Sequence, residues 1–166
     1  MKYTVFCSGS KGNCTLIETE KVKVLLDCGH TRRYLTQSFH NAGLHYNQVD
    51  AVLITHNHID HVSQLKLFHD KPVFAPHVLD QREDTIVLEP FDWITLGDLE
   101  IYAFPLSHDA QETYGYLIRH LEETLVYITD TGYLRETDFE MLKNATYYIF
   151  ESNHDVELLM ATTRPY

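Results

Sequence analysis

Positive charge is what this chain has least of. Thirteen Lys and Arg stand against 24 Asp and Glu, a formal net charge of −11. That balance argues against a broad basic face for nucleic acid or an anionic membrane. It leaves room for a local anion site, because bound divalent cations invert the field inside one pocket. Cysteine is also scarce. Cys7, Cys14 and Cys28 are odd in number and show no CxxC spacing, which argues against a disulfide framework or a zinc ribbon. Reduced thiols fit a cytoplasmic protein. No apolar run approaches membrane-spanning length, and the start Met1-Lys2-Tyr3-Thr4-Val5-Phe6 has no signal-peptide core. Internal repeats and low-complexity tracts are missing too. With 44% hydrophobic residues over 166 positions, the composition suits one globular domain, residues 1–166, with a real core.

Histidine, by contrast, is plentiful. Four ligand-type side chains crowd Thr55-His56-Asn57-His58-Ile59-Asp60-His61, directly behind the apolar run Ala51-Val52-Leu53-Ile54. Such a run reads as a buried strand, so the ligands begin where the strand ends. Imidazole and carboxylate are both good ligands for a borderline ion such as Zn²⁺. His56 and His58 can share one ion if the backbone stays extended, while Asp60 and His61 follow as the chain turns toward a second. A polar loop rich in stray histidine is the bland alternative, and the spacing behind a buried strand weighs against it.

The rest of the chain reads as many strands and few helices. Strands are expected at Tyr3–Cys7, Cys14–Glu18, Val22–Leu26, Ala51–Ile54 and Val73–Ala75. Hairpins are expected at Trp93–Leu96 with Leu99–Phe104 and at Tyr114–Arg119 with Thr124–Ile128, and a last strand at Tyr147–Phe150. Thr31 is an N-cap for a helix to Ala42, stopped by Gly43; further helices are expected over 62–68 and 136–143. Residues 76–90 suggest one helical turn and then a sheet edge. The glycine-rich turn Ser8-Gly9-Ser10-Lys11-Gly12-Asn13 offers free N–H groups to an anion or is simply a hairpin turn. Polar clusters end the strands at His56, His108 and Asp130, and a fourth occupies Glu151 to Asp155. Asp27, at another strand end, suits orientation of the metal ligands from behind. Cys28 reads as a small buried residue, Tyr147–Phe150 as core, and Glu89, Asp92, Glu122 and Glu123 as a solvated acidic face. Two sheets packed face to face with outer helices accommodate this order, and strands sharing a rim would bring the clusters together.

His56-x-His58-x-Asp60-His61 resembles the signature of the metallo-β-lactamase fold superfamily. The stretches Ser8-Gly9-Ser10-x-Gly12-Asn13-Cys14, Leu26-Asp27-Cys28-Gly29, Ser107-His108-Asp109-Ala110, Thr129-Asp130-Thr131-Gly132-Tyr133 and Glu151-Ser152-Asn153-His154-Asp155 resemble its YycJ/WalJ-type branch. The resemblance implies an αββα sandwich and two divalent ions, Zn²⁺ or Mn²⁺. His56, His58 and His108 would hold the first, Asp60 and His61 the second, and Asp130 would bridge. It also implies a metal-dependent hydrolase of ester bonds, a phosphodiesterase or nuclease with a phosphodiester substrate such as DNA. Asp60 would also orient the attacking water, with Glu151 or His154 handling the leaving-group proton. The branch usually supplies a later histidine to the second ion, and none follows Glu151 apart from His154. A naturally short member, a fragment and a ligand from another chain are all open, as is a fold lacking its last C-terminal elements. Self-association would cover the sheet face then left bare. A small phosphodiester or thioester is the alternative substrate, and a non-catalytic or partial metal-binding domain the alternative class.

Overall fold

In the computed structural model, which describes residues 1–108, 110, 112–132 and 134–150, the alternating apolar segments pair into two sheets. The first runs in order through β1 (Lys2–Cys7), β2 (Cys14–Glu18), β3 (Lys23–Leu26), β4 (Ala51–Leu53), β5 (Val73–Ala75) and β6 (Ile86–Val87). Its first three strands are an antiparallel meander and its last four are parallel. The second sheet comprises β7 (Trp93–Leu96), β8 (Leu99–Pro105), β9 (Tyr114–His120), β10 (Glu123–Ile128) and β11 (Tyr147–Phe150), with β11 parallel to β10.

Ala51, Val52 and Leu53 of β4 are buried throughout, as expected of a central parallel strand covered on both faces. Inward residues of the two sheets share one core: Ile17, Val24, Leu26 and Leu53 meet Ile101, Tyr116, Ile118 and Tyr127. Each such Leu or Ile stabilises the fold by about 1.5–3 kcal/mol relative to exposure. Behind the first sheet lies α1 (Arg32–Asn41), capped by Thr31 Oγ1 accepting from the Tyr34 N–H, with Leu35 and Phe39 one turn apart and buried. Behind the second lies α3 (Glu136–Leu142), whose Leu142 packs on Phe104, Leu117 and Val126. The layers are therefore helix, sheet, sheet, helix.

The strands β3, β4, β8 and β10 all end at one rim, and that shared end positions the site. At the opposite rim Thr19 Oγ1 donates to Asp98, and His120 Nε2 lies 3.2 Å from the other Asp98 oxygen. The N-terminal ammonium pairs with Glu123 nearby, so Glu123 is a tie and not part of the solvated acidic face the sequence suggested. Three further expectations change. Residues 76–90 contain no helical turn; Leu79 and Arg82 form an isolated bridge, and the Arg82 guanidinium fixes the loop by donating to the carbonyls of Phe68 and Lys71. β11 is only half core, because Tyr147 and Ile149 pack inward whereas Tyr148 and Phe150 face outward about half exposed. The helix expected after His61 begins earlier, as α2 (Ile59–Val62), followed by a 3₁₀ turn at Leu65–Phe68. Among the described residues no helix is long and apolar enough to cross a membrane.

Candidate metal centre

The chain leaves β4, bends at Thr55 and passes through His56 to an extended His58, the N-cap of α2, whose first turn carries Asp60 and His61. His108 follows β8, and Asp130 follows β10 with φ +48, a left-handed conformation that aspartate tolerates better than most residues. The rim therefore collects six side chains from three strand ends and one helix. Ligand atoms of His56, His58 and His108 lie within 4.8 Å of one another, and so do those of His56, His61 and Asp130. Asp60 Oδ2 is 3.6 Å from His61 Nε2. Glu151 and His154 lie outside the described residues.

Asp27, fully buried with φ +58, organises the cluster from behind. Its Oδ2 accepts from His61 Nδ1 at 2.9 Å and from the Tyr127 hydroxyl at 3.1 Å. Its Oδ1 accepts from the Thr55 N–H at 2.9 Å. The Thr55 hydroxyl lies 3.1 Å from both Asp27 oxygens and from Nδ1 of His56 and of His61. With both Nδ1 atoms engaged in this way, each Nε2 turns toward the centre, the arrangement by which metal-ligating histidines fix their tautomer. In the sequence the only signal for Thr55 is its position directly between the strand and the first histidine. Asn13 is a further neighbour of the cluster, distant in sequence. Its Nδ2 reaches 3.0 Å from His61 Nε2 while its Oδ1 accepts from the Gly9 N–H. His30 stays outside the cluster, stacked on Tyr34. Cys28 is buried and no part of it.

Does the donor set fit a cation? His56 Nε2 is buried with no hydrogen-bond partner, which costs free energy unless something else satisfies it. His58 Nδ1 and His108 Nε2 lie 3.3 Å apart, and two nitrogens on one tetrahedral zinc are spaced about 3.3 Å. Both observations fit a divalent ion. Without one, protons redistribute. Burial by itself disfavours the His61 imidazolium, but Asp27 and Asp130 outweigh it and raise His61 from 6.5 to about 10. Burial, and then the His61 charge, push His56 down to about 2. A raised histidine stabilises the fold below its unfolded value and loses that contribution as pH climbs from 6.5 toward 10. A depressed one costs stability as pH falls from 6.5 toward 2. Chelated protein should therefore be most stable near pH 6.5, with the urea midpoint declining between pH 7 and 9. A midpoint that rises across that alkaline interval contradicts the assignment. Because a metal must displace the His61 proton, affinity should rise with pH over the same interval.

Close backbone packing holds the cluster in register. Cys28 N–H donates to the His61 carbonyl at 2.7 Å and Asn13 N–H to the Asp60 carbonyl at 2.8 Å. A Cβ at Gly29 would fall 1.6 Å from the Asp60 carbonyl oxygen, a clash that only backbone movement relieves. Gly29→Ala is therefore expected to cost about 3 kcal/mol or more in urea unfolding and to displace the Asp60–His61 turn, lowering bound metal. Unaltered stability with full metal content would contradict this packing.

Residues 22–162 match the Beta-lactamase superfamily domain, and the chain belongs to that family. Among curated relatives, exodeoxyribonuclease YycJ of Bacillus anthracis is 33% identical over 179 residues, covering 100% of this chain and 68% of its own length. Exodeoxyribonuclease WalJ of Streptococcus pneumoniae is 31% identical over 173 residues, covering 95% of this chain and 64% of its own. The chain thus spans about two thirds of the length of these relatives. In fold it is similar to the metallo-β-lactamase fold protein YhfI from Bacillus subtilis, at a TM-score of 0.72 and 21% identity, over 88% of this chain and 68% of that one.

Proposed function

We propose that the chain is a metal-dependent phosphodiester hydrolase that acts on DNA, using two divalent ions, Zn²⁺ or Mn²⁺. The observation that carries this reading is the pair of adjoining donor groups that share His56. His56, His58 and His108 would hold one ion, Asp60 and His61 the other, with Asp130 between them. When bound, such ions generate a nucleophile from water near neutral pH and neutralise charge developing on phosphoryl oxygens. The chain's own groups supply the rest. Asp27 and Thr55 hold the imidazoles in one tautomer. Asp60, half-buried at the mouth of the site, accepts a hydrogen bond from the attacking water and aims it. Glu151 and His154 are the candidates for returning a proton to the leaving oxygen. The names of the two exodeoxyribonuclease relatives favour a polynucleotide over other esters.

Purified protein with Mn²⁺ or Zn²⁺ should hydrolyse both labelled DNA and bis-p-nitrophenyl phosphate. Two bound ions with turnover of neither would overturn the reading in favour of a non-catalytic metal domain. The net charge of −11 favours a second reading, a small phosphodiester, and cleavage of the small ester alone at low salt would select it.

A further inference from the structure

Beside the ligand cluster, the turn between β1 and β2 opens into a hollow of about 370 Å³. Asn13 joins the two, with one end of its amide on the Gly9 N–H and the other at His61. The floor is glycine for a steric reason, since a Cβ at Gly12 would come 2.1 Å from the His30 nitrogen. The rings of His30 and Tyr34 line the hollow as a stacked pair, centroids 3.9 Å apart and planes 24° from parallel. Tyr34 keeps 40% of its surface exposed, and its hydroxyl donates to the Phe6 carbonyl at 2.9 Å, which fixes the ring. Lys11 lines the same hollow, and the amides of Ser10 and Lys11 make no hydrogen bond among the described residues. Two further hollows meet at Arg32, one along α1 with Arg33, the other bordered by Lys66 and Lys71. Five of the 13 Lys and Arg thus border these three hollows in a strongly acidic chain.

A ring face beside free amides and an ammonium matches the two parts of a nucleotide. Bases of any sequence stack on aromatic faces, and phosphates take backbone N–H groups and cations. We propose that this hollow binds the nucleotide next to the scissile phosphate, its base on Tyr34 and its phosphate on Lys11 and the Ser10 and Lys11 amides. The strand then continues past Arg32 along α1. The assignment rests on the phosphodiesterase reading above and gives that site a single-stranded polynucleotide as substrate. It also places the few cations where they are needed, so the acidic balance elsewhere is no obstacle.

A fluorescein-labelled ten-residue oligothymidylate with phosphorothioate linkages, titrated against the metal-loaded full chain, tests this by anisotropy. Tyr34→Ala should weaken binding about tenfold, and Tyr34→Phe, which keeps the ring, should restore it. Lys11→Gln should weaken binding and reduce the slope of log affinity against log salt by about 0.7. Equal affinities for wild type and both weakened variants, or no binding by wild type, would overturn the subsite even if DNA is hydrolysed. Hydrolysis of DNA and of bis-p-nitrophenyl phosphate by the wild type, measured in parallel, reports on the phosphodiesterase reading separately. Binding with the expected variant pattern but no turnover supports the subsite and sinks only the hydrolase.

Discussion

His58→Ala is expected to lower hydrolysis of bis-p-nitrophenyl phosphate by about a thousandfold and to remove about one ion per chain. The size of the effect follows from position. His58 lies at the turn into α2, and its ring meets those of His56 and His108 at 4.6 and 5.0 Å between centroids. Its Nδ1 is half of the 3.3 Å nitrogen pair that matches a tetrahedral ion. His58 is half-buried at the site mouth, whereas His56 is fully buried. Truncating His58 therefore removes a ligand without opening a cavity in the core, and metal-free stability should move by less than about 1 kcal/mol. Elemental analysis and steady-state kinetics check the two halves together. Wild-type turnover with a full metal complement would refute the ligand assignment.

Asp27→Asn should weaken metal binding by about 10–100-fold while changing no ligand. The carboxylate accepts from four donors, the Thr55 N–H and hydroxyl, the Tyr127 hydroxyl and His61 Nδ1. An asparagine has one acceptor oxygen. If that oxygen keeps the Thr55 N–H, the amide NH₂ confronts His61 Nδ1 and the Tyr127 hydroxyl, both donors in the native arrangement. His61 must then present a lone pair at Nδ1 and carry its proton on Nε2, the atom that faces Asp130 at 2.7 Å. Leaving buried donors unpaired also costs about 1–3 kcal/mol of stability. Competition against a chelator of known affinity measures the first effect and urea unfolding the second. Metal affinity within twofold of wild type would show that Asp27 only supports the fold.

Much of this was legible in the sequence, because local signals and the fold agree. The run Ala51–Ile54 marked a central strand by being apolar at every position, and the Thr31 cap and Gly43 stop bounded α1. The hairpins ending at His108 and Asp130 are marked by apolar and aromatic runs around the turns Gly97-Asp98 and His120–Glu123, and the polar residues that end them are the ones the rim gathers. Other features were hidden for physical reasons. Alternation does not reveal which face a sheet leaves open, so Tyr148 and Phe150 read as core although they point outward. A threonine between strand and ligands carries no periodic signal, and only coordinates show its hydroxyl between two imidazoles and a carboxylate. The same holds for Asn13, 48 residues from the histidine it approaches, and for Glu123, 122 residues from the terminus it binds.

The clasp at the far rim gives the sandwich a hinge. Thr19, Asp98 and His120 fasten one end of the two sheets. At the other end the donors come from both: His56 and His58 extend β4, while His108 and Asp130 extend β8 and β10. A cation held there would work as a removable staple across the 50 residues between His58 and His108, equivalent to about 4 kcal/mol of chain entropy if the link were covalent. Unstapled, the sheets should part like the covers of a book bound at one edge. Hydrogen exchange after chelation should quicken first at the Tyr114 amide, which bonds across the rim to Thr55, and leave the Val22 amide beside the clasp unchanged.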